Sequence, residues 1–277
     1  MNIGLLGCGV VGSEVLRIVD TLNMSSMKIT KILDLKPKND TRFTNKFEDI
    51  LNDETIDTVV EVMGGIHPAY EFICACLKAK KNVVSANKAV IARYFKEFMD
   101  LAKENGVSFR LEASVAGGIP WIKELQRVLR MDNVIEFSGI LNGTTNYILD
   151  KMHTQNASFD AVLKDAQMKG YAESDPTSDI EGYDIQNKMC ISTSIAYKGY
   201  VNVEDIPTFG ISKIKKEPKW MLEYRLDSFD KFINSKELNK LRIRFNLNWV
   251  STVNIYFLSA IVSIKINTYM PQIRSNT

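Results

Sequence analysis

Over the first 115 residues, short apolar runs rich in β-branched residues alternate with longer amphipathic stretches. NIGLLG (2–7), KITKILD (28–34), DTVVEV (57–62), NVVSA (82–86) and VSFRLEA (107–113) read as strands. Between them, residues 10–23, 67–80 and 89–106 carry the spacing of helices, and Gly106 is placed as a C-cap. Strand–helix alternation at this spacing predicts a parallel sheet with right-handed crossovers. After residue 115 the pattern changes. GGIPWIKELQRVLRMD (117–132) predicts a helix started near Pro120, and residues 133–152 read as a strand, a Gly/Thr turn and a helix. Residues 158–169 and 181–199 are helical in pattern. The expected fold class is α/β: a parallel-sheet domain over 1–115 and a second, α+β domain over 116–213.

The first turn carries chemistry. Gly7-Cys8-Gly9-Val10-Val11-Gly12 is a GxGxxG that follows a strand and opens a helix, the context a dinucleotide fingerprint requires. Gly7 permits the tight turn, Gly9 lets a pyrophosphate approach the backbone, and Gly12 lets helix and strand pack closely. The helix N-terminus then favours the phosphate charge. Asp34 ends the second strand, where an acid binds the ribose hydroxyls of NAD. Lys36 and Lys38 lie just beyond and offer charge to the 2′-phosphate of NADP, so the cofactor is NAD with tolerance for NADP. EVMGGIHP (61–68) and SANKA (85–89) follow later strands at carboxyl ends, where open α/β sheets bind ligands. Candidate cofactor contacts are therefore Gly7, Gly9, Val10, Val11, Gly12, Asp34, Met63 and Lys88, in a Rossmann-type domain.

Composition narrows the remaining classes. A net charge of +2 gives no case for nucleic acid or an acidic membrane surface. Cys8, Cys74, Cys76 and Cys190 form no CxxC pair, which points to buried reduced thiols in a cytoplasmic protein. His67 and His153 are the only histidines, too few for a histidine zinc cluster. The N-terminus enters an apolar strand without a basic leader, so no signal peptide is expected. WVSTVNIYFLSAIVSI (249–264) is interrupted by Ser251, Thr252, Asn254, Ser259 and Ser263. It falls short of the roughly 18 uninterrupted apolar residues of a spanning helix and reads as strand-like or buried.

GYAESDPTSDIEGYDIQNK (170–188) crowds Glu173, Asp175, Asp179, Glu181 and Asp184 ahead of Lys188. Asp184 and Lys188 are spaced i, i+4 on a predicted helix and share one face. That pair is either a surface ion pair or part of a site that grips a cation and moves a proton. In NGTTNY (142–147), the hydroxyls and amides at a strand–helix junction read first as a helix N-cap, with Thr144 or Thr145 supplying the oxygen.

Five motifs in order resemble homoserine dehydrogenase: GLLGCGVVG (4–12), SANK (85–88), EASVAGGIP (112–120), GILNGTTNYIL (139–149), and Ala166, Gly170, Asp175-Pro176, Asp179-Ile180, Gly182, Asp184 and Lys188. The resemblance spans about residues 1–213. It implies NAD(P)H-dependent reduction of L-aspartate 4-semialdehyde to L-homoserine, toward threonine, methionine and isoleucine. It implies Lys188 as proton donor, Asp184 as the residue that orients it, and Lys88 as a second cation beside the carbonyl. Glu173 takes the substrate ammonium and Asp179 is a second substrate contact. Glu112, Val115, Gly117 and Ile119 match positions that hold a monovalent cation, usually sodium. The second domain is implied to form a homodimer. Residues 214–277 depart from the family pattern, and 215–277 contain no glycine. That departure keeps a second reading open, a degenerate or truncated nucleotide-binding paralogue without catalysis. A third is a dehydrogenase of the same architecture acting on aspartate itself.

Overall fold

The computed structural model describes residues 1–22, 26–36, 39–212 and 214, together with the backbone strands 251–257 and 260–266. Lys38 and most of the tail after 214 lie outside the described residues. The chain divides into two compact units, Met1–Lys123 with Cys190–Val203, and Glu124–Met189 with the residues from Glu204 onward.

In the first unit the chain runs β1 (Asn2–Leu6), α1 (Val10–Leu22), β2 (Lys28–Leu33), β3 (Phe43–Thr44), α2 (Glu48–Leu51), β4 (Thr58–Glu61), α3 (Ala69–Lys78), β5 (Asn82–Ser85), α4 (Lys88–Asn105) and β6 (Phe109–Arg110). The strands form one parallel sheet in the order β3-β2-β1-β4-β5-β6. That is the doubly wound order, whose direction reverses beside β1. Leu5, Leu6, Ile29, Ile32, Val59 and Val83 are buried, as expected of strands covered on both faces. Val15, Leu16 and Val19 of α1 pack on Ile3, Leu5, Ile29 and Ile32. Gly106 ends α4 in the left-handed conformation at φ 69°, the predicted C-cap.

One sequence expectation differs from the structure, and two elements went unpredicted. VSFRLEA contributes only the two residues of β6, and Glu112–Ser114 coil into a 3-10 turn. The short elements β3 and α2 carry too few residues to show a period, and the pattern did not reveal them.

The second unit contains β7 (Val134–Ile140), α6 (Gly143–Gln155), α7 (Phe159–Met168) and α8 (Thr177–Ile180). Helix α5 (Trp121–Val128) begins in the first unit and ends in the second, and α9 (Tyr183–Ala196) gives its first half to the second unit and the remainder to the first. Ile148, Leu149 and Met152 of α6 pack with Val162 and Ala166 of α7 around Ala172. The predicted strand near 249–264 forms as two, β8 (Ser251–Phe257) and β9 (Ala260–Ile266), which pair antiparallel. Strand β9 also pairs antiparallel with β7, giving the order β7-β9-β8. Among the described residues, no helix is long and apolar enough to cross a membrane.

Lys81 tests how the parallel sheet is closed. It is only 5% exposed, and its ammonium donates to the carbonyls of Asp53 (2.7 Å) and Ile56 (2.8 Å). Lys81→Met keeps the stem and strands the Ile56 carbonyl, while the Asp53 carbonyl keeps the Ile56 N–H at 3.1 Å, at a cost of about 1–3 kcal/mol. The expected melting temperature is lower by about 2–4 °C per kcal/mol. A melt that matches wild type would show that the two bonds contribute nothing net.

Candidate active site

The glycine turn sits at the carboxyl end of β1, beside the point where the strand order reverses. Gly7 has φ 94°, and its N–H donates to the Leu33 carbonyl at 2.9 Å. A Cβ on Gly7 would stand 3.0 Å from the Met63 Cα, so this turn and the end of β4 are in direct contact. A Cβ on Gly12 would lie 2.1 Å from the Gly7 carbonyl oxygen, which makes glycine obligatory there for packing alone. Gly9 is different. Its backbone is not left-handed, and a Cβ there would meet nothing within 4 Å. No neighbouring group demands glycine at this position, so the open space fits a ligand that must approach the backbone. Val10 and Val11 stand exposed beside it at the start of α1.

Asp34 closes the other side of this turn. Its Oδ2 accepts the Cys8 N–H at 2.7 Å, and its Oδ1 accepts the Lys36 N–H at 2.8 Å. The carboxylate is thus held between the glycine turn and the end of β2.

A residue that the sequence reading passed over organises the neighbouring strand ends. Glu61, at the end of β4, is fully buried. It accepts hydrogen bonds from the Met63 N–H (2.9 Å), the Ser85 hydroxyl and the Asn87 amide (3.4 Å). Asn87 is the N-cap of α4 through Val90 N–H, and its amide also donates to the Gly65 carbonyl at 2.6 Å. Lys88, half-buried, is the first residue of that helix. An apolar-run reading hides Glu61, because its neighbours Val59, Val60 and Val62 dominate the pattern.

In the second unit the structure joins three of the predicted residues. Asp184 and Lys188 form a 2.6 Å ion pair with side chains only 5% and 14% exposed, so this is not a surface pair. The Lys188 ammonium also donates to the Leu141 carbonyl at 2.6 Å. Asn142 donates to Asp179 Oδ1 at 2.7 Å and to Asp184 Oδ2 at 2.8 Å. The N-cap of α6 is Asn142, whose Oδ1 accepts the Thr145 N–H at 2.8 Å, and not Thr144 or Thr145 as expected. Thr144 lies one residue inside the helix and instead donates its hydroxyl to the Tyr171 carbonyl at 2.6 Å.

Glu173 stands exposed on the loop after α7. The Gln167 amide holds that loop by donating to the carbonyls of Glu173 (3.1 Å) and Ser174 (3.3 Å). Asp175 accepts from the Thr177 N–H and hydroxyl, shaping the turn into α8, and these bonds hold its carboxyl below the usual carboxylate range. A Cβ on Gly182 would lie 2.8 Å from Thr208, and one on Gly210 would lie 2.6 Å from the Ile180 carbonyl oxygen. The chain after α9 therefore returns against the α8–α9 turn, where Ile211 N–H donates to the Ile180 carbonyl at 2.7 Å.

Of the four residues expected to hold a cation, Glu112 caps a helix. Glu112 accepts the Ile122 N–H (3.0 Å) and the Lys123 N–H (2.9 Å), capping α5 with both oxygens. Val115 is buried, and Ala116 and Gly117 are left-handed, turning the loop towards Ile119. Among the described residues no group of three or more His, Cys, Asp or Glu side chains is placed to hold a metal. All four cysteines are free and buried, and burial pushes the Cys76 thiol up to about 12, so it is no nucleophile at neutral pH.

The sheet order, the glycine turn and the acid at the end of β2 define an NAD-binding α/β protein of Rossmann type. Residues 7–112 match the model of the homoserine dehydrogenase NAD-binding domain, and residues 120–264 match the homoserine dehydrogenase model. The chain belongs to the homoserine dehydrogenase family. Homoserine dehydrogenase of Bacillus subtilis is 40% identical over 231 residues, 78% of this chain and 53% of that protein. The crystal structure of a homoserine dehydrogenase from Thiobacillus denitrificans superposes with a TM-score of 0.74 at 36% identity, covering 82% of this chain and 55% of that one. A hyperthermophilic archaeal homoserine dehydrogenase in complex with NADPH shares the fold, with a TM-score of 0.69 at 23% identity over 78% of this chain and 75% of that one. The chain spans about half the length of the curated relatives it matches. The family match continues to residue 264, past 213 where the motif resemblance stops, and so takes in β8 and most of β9.

The two glycines separate packing from binding. Gly9→Ala is expected to melt within about 1 kcal/mol of wild type, the usual scale of such a change, while NADH affinity falls about tenfold or more. Gly12→Ala is expected to lose the folded first unit. Fluorescence titration with NADH beside thermal melts reads both, and full affinity in Gly9→Ala would show that the turn is not a pyrophosphate cradle.

Proposed function

We propose that the chain catalyses the reversible NAD(P)H-dependent reduction of L-aspartate 4-semialdehyde to L-homoserine, a step toward threonine, methionine and isoleucine. The buried Asp184–Lys188 pair carries this reading, because an alkoxide forming from an aldehyde needs an acid held in place. In this reading residues 1–115 bind the cofactor and residues 116–213 bind the substrate.

The nicotinamide, when bound, supplies the hydride. Gly7, Gly9, Val10, Val11 and Gly12 line the pyrophosphate side, and Met63 and Lys88 stand at the neighbouring strand ends. Asp34 takes the ribose hydroxyls. Its carboxylate puts negative charge where a 2′-phosphate would bind, which favours NAD, while Lys36 leaves room for NADP.

Lys188 gives the proton. Two of its three N–H donors go to Asp184 and the Leu141 carbonyl, which leaves the third for the substrate carbonyl oxygen. As hydride reaches the carbonyl carbon, the C=O π pair moves to oxygen, which takes the Lys188 proton to give the alcohol. Lys188 is reprotonated from solvent. Asp179 and Glu173 accept the α-ammonium of the substrate, a charge-assisted contact. Lys88 adds positive charge at the polarised carbonyl. A monovalent cation at Glu112, Val115, Gly117 and Ile119 would share the single Glu112 carboxylate with the start of α5, and that charge suits one positive unit and not two. A cytoplasmic setting agrees with the four free thiols, and a homodimer belongs to the same reading.

The test is an assay of the purified 277-residue chain with NADH and NADPH on the semialdehyde, and with NAD+ and NADP+ on L-homoserine and L-aspartate. NADH oxidation with the semialdehyde is expected, and Lys188→Ala should lower kcat by about 10²–10⁴ with NADH binding unchanged. Turnover with L-aspartate alone would favour the aspartate-dehydrogenase reading. Near-normal kcat in Lys188→Ala would remove this lysine from the chemistry.

A further inference from the structure

Asn142 has no part in the chemistry above, yet it bonds to both Asp179 and Asp184. It is 6% exposed at the junction of β7 and α6. Its Oδ1 accepts from Thr145, and its Nδ2 donates to Asp179 at 2.7 Å and Asp184 at 2.8 Å. The amide orientation is fixed by its partners. Turned over, it would set an NH2 against an N–H and an oxygen against two carboxylates. The preceding residue, Leu141, supplies the carbonyl that receives Lys188. One junction therefore holds the lysine through its main chain and both acids through its side chain.

Two carboxylates brought to one amide repel each other unless something neutral lies between them. A primary amide offers two N–H donors on one atom without adding charge. Serine or threonine would cap the helix equally well but has one donor, and aspartate would cap it with none. The cap alone does not require asparagine, whereas the double bridge does.

We propose that Asn142 is a positioning residue that fixes Asp179 and Asp184 as a pair and thereby holds Lys188 in its proton-donating pose. This rests on the assignment of Lys188 as the acid. Asp184 Oδ2 accepts from both Asn142 and Lys188, so the bridge reaches the lysine through a single shared oxygen.

The test uses the full chain with Asn142→Ser and Asn142→Asp, both competent N-caps. Thermal melts and NADH affinity are measured beside kcat and KM for the semialdehyde. Acetylation of Lys188 by acetic anhydride is followed by mass spectrometry relative to exposed lysines, which needs no turnover. With the bridge lost, kcat/KM is expected to fall about 10-fold or more, mostly in kcat, with NADH affinity unchanged. Lys188 should acetylate about 3-fold faster or more as its two partners loosen. If either variant keeps wild-type kcat/KM and Lys188 labelling, the cap alone matters and the inference fails. If wild type does not turn over the semialdehyde, the proposed function fails, and labelling of Lys188 alone decides the role of Asn142.

Discussion

A carboxylate buried at the end of a strand must find donors or it destabilises the fold, and Glu61 finds them in three different segments. It ties the Met63 backbone, the end of β5 and the cap of α4 to one point. The close approach of Gly7 to Met63 then ties the glycine turn to the same point. These strand ends cannot slide relative to each other without stranding a buried charge. The rim at the carboxyl ends of these strands is therefore set by electrostatics, while hydrophobic packing sets the sheet beneath it.

The second unit repeats the device with different partners. Asn87 and Asn142 each follow a strand, each cap a helix through Oδ1, and each spend the amide nitrogen on a buried acid. Both are less than a tenth exposed. Asn87 serves the acid that braces the loops, and Asn142 serves Asp179 and Asp184. In both cases a strand–helix junction, which must satisfy loose backbone groups anyway, also fixes a charge.

The parallel sheet was legible because its strands and helices are long enough to show their periods, and the glycine turn because its spacing is tied to a backbone function. The pairing of Asp184 with Lys188 followed from helix geometry, but its burial did not. Spacing says which face two residues share and nothing about what covers it. Glu61 was hidden inside an apolar run, and Asn142 inside a turn whose threonines looked like the better caps. The capping roles of Asn142 and Glu112 depend on which oxygen lies within reach of a free N–H, a matter of a few ångströms that residue type alone does not decide. Helix α8 is too short to carry a pattern, yet it delivers Asp179 to the Asn142 amide.

Gly182 and Gly210 let the returning chain lie against the turn between α8 and α9, closer than any side chain would permit. Ile211 then bonds to the Ile180 carbonyl, and Ile211 and Ile214 pack on the core of α6 and α7. Translation runs from the N-terminus, so Asp179, Asp184 and Lys188 are made after Leu141 and Asn142 but before Gly210 and Ile211, which close the α8–α9 turn. A ribosome that has released the acid-bearing helix still holds the segment that closes its turn. Until about residue 211 emerges, the nascent chain carries its charged residues without the backbone contact to Ile180 that closes the turn between them.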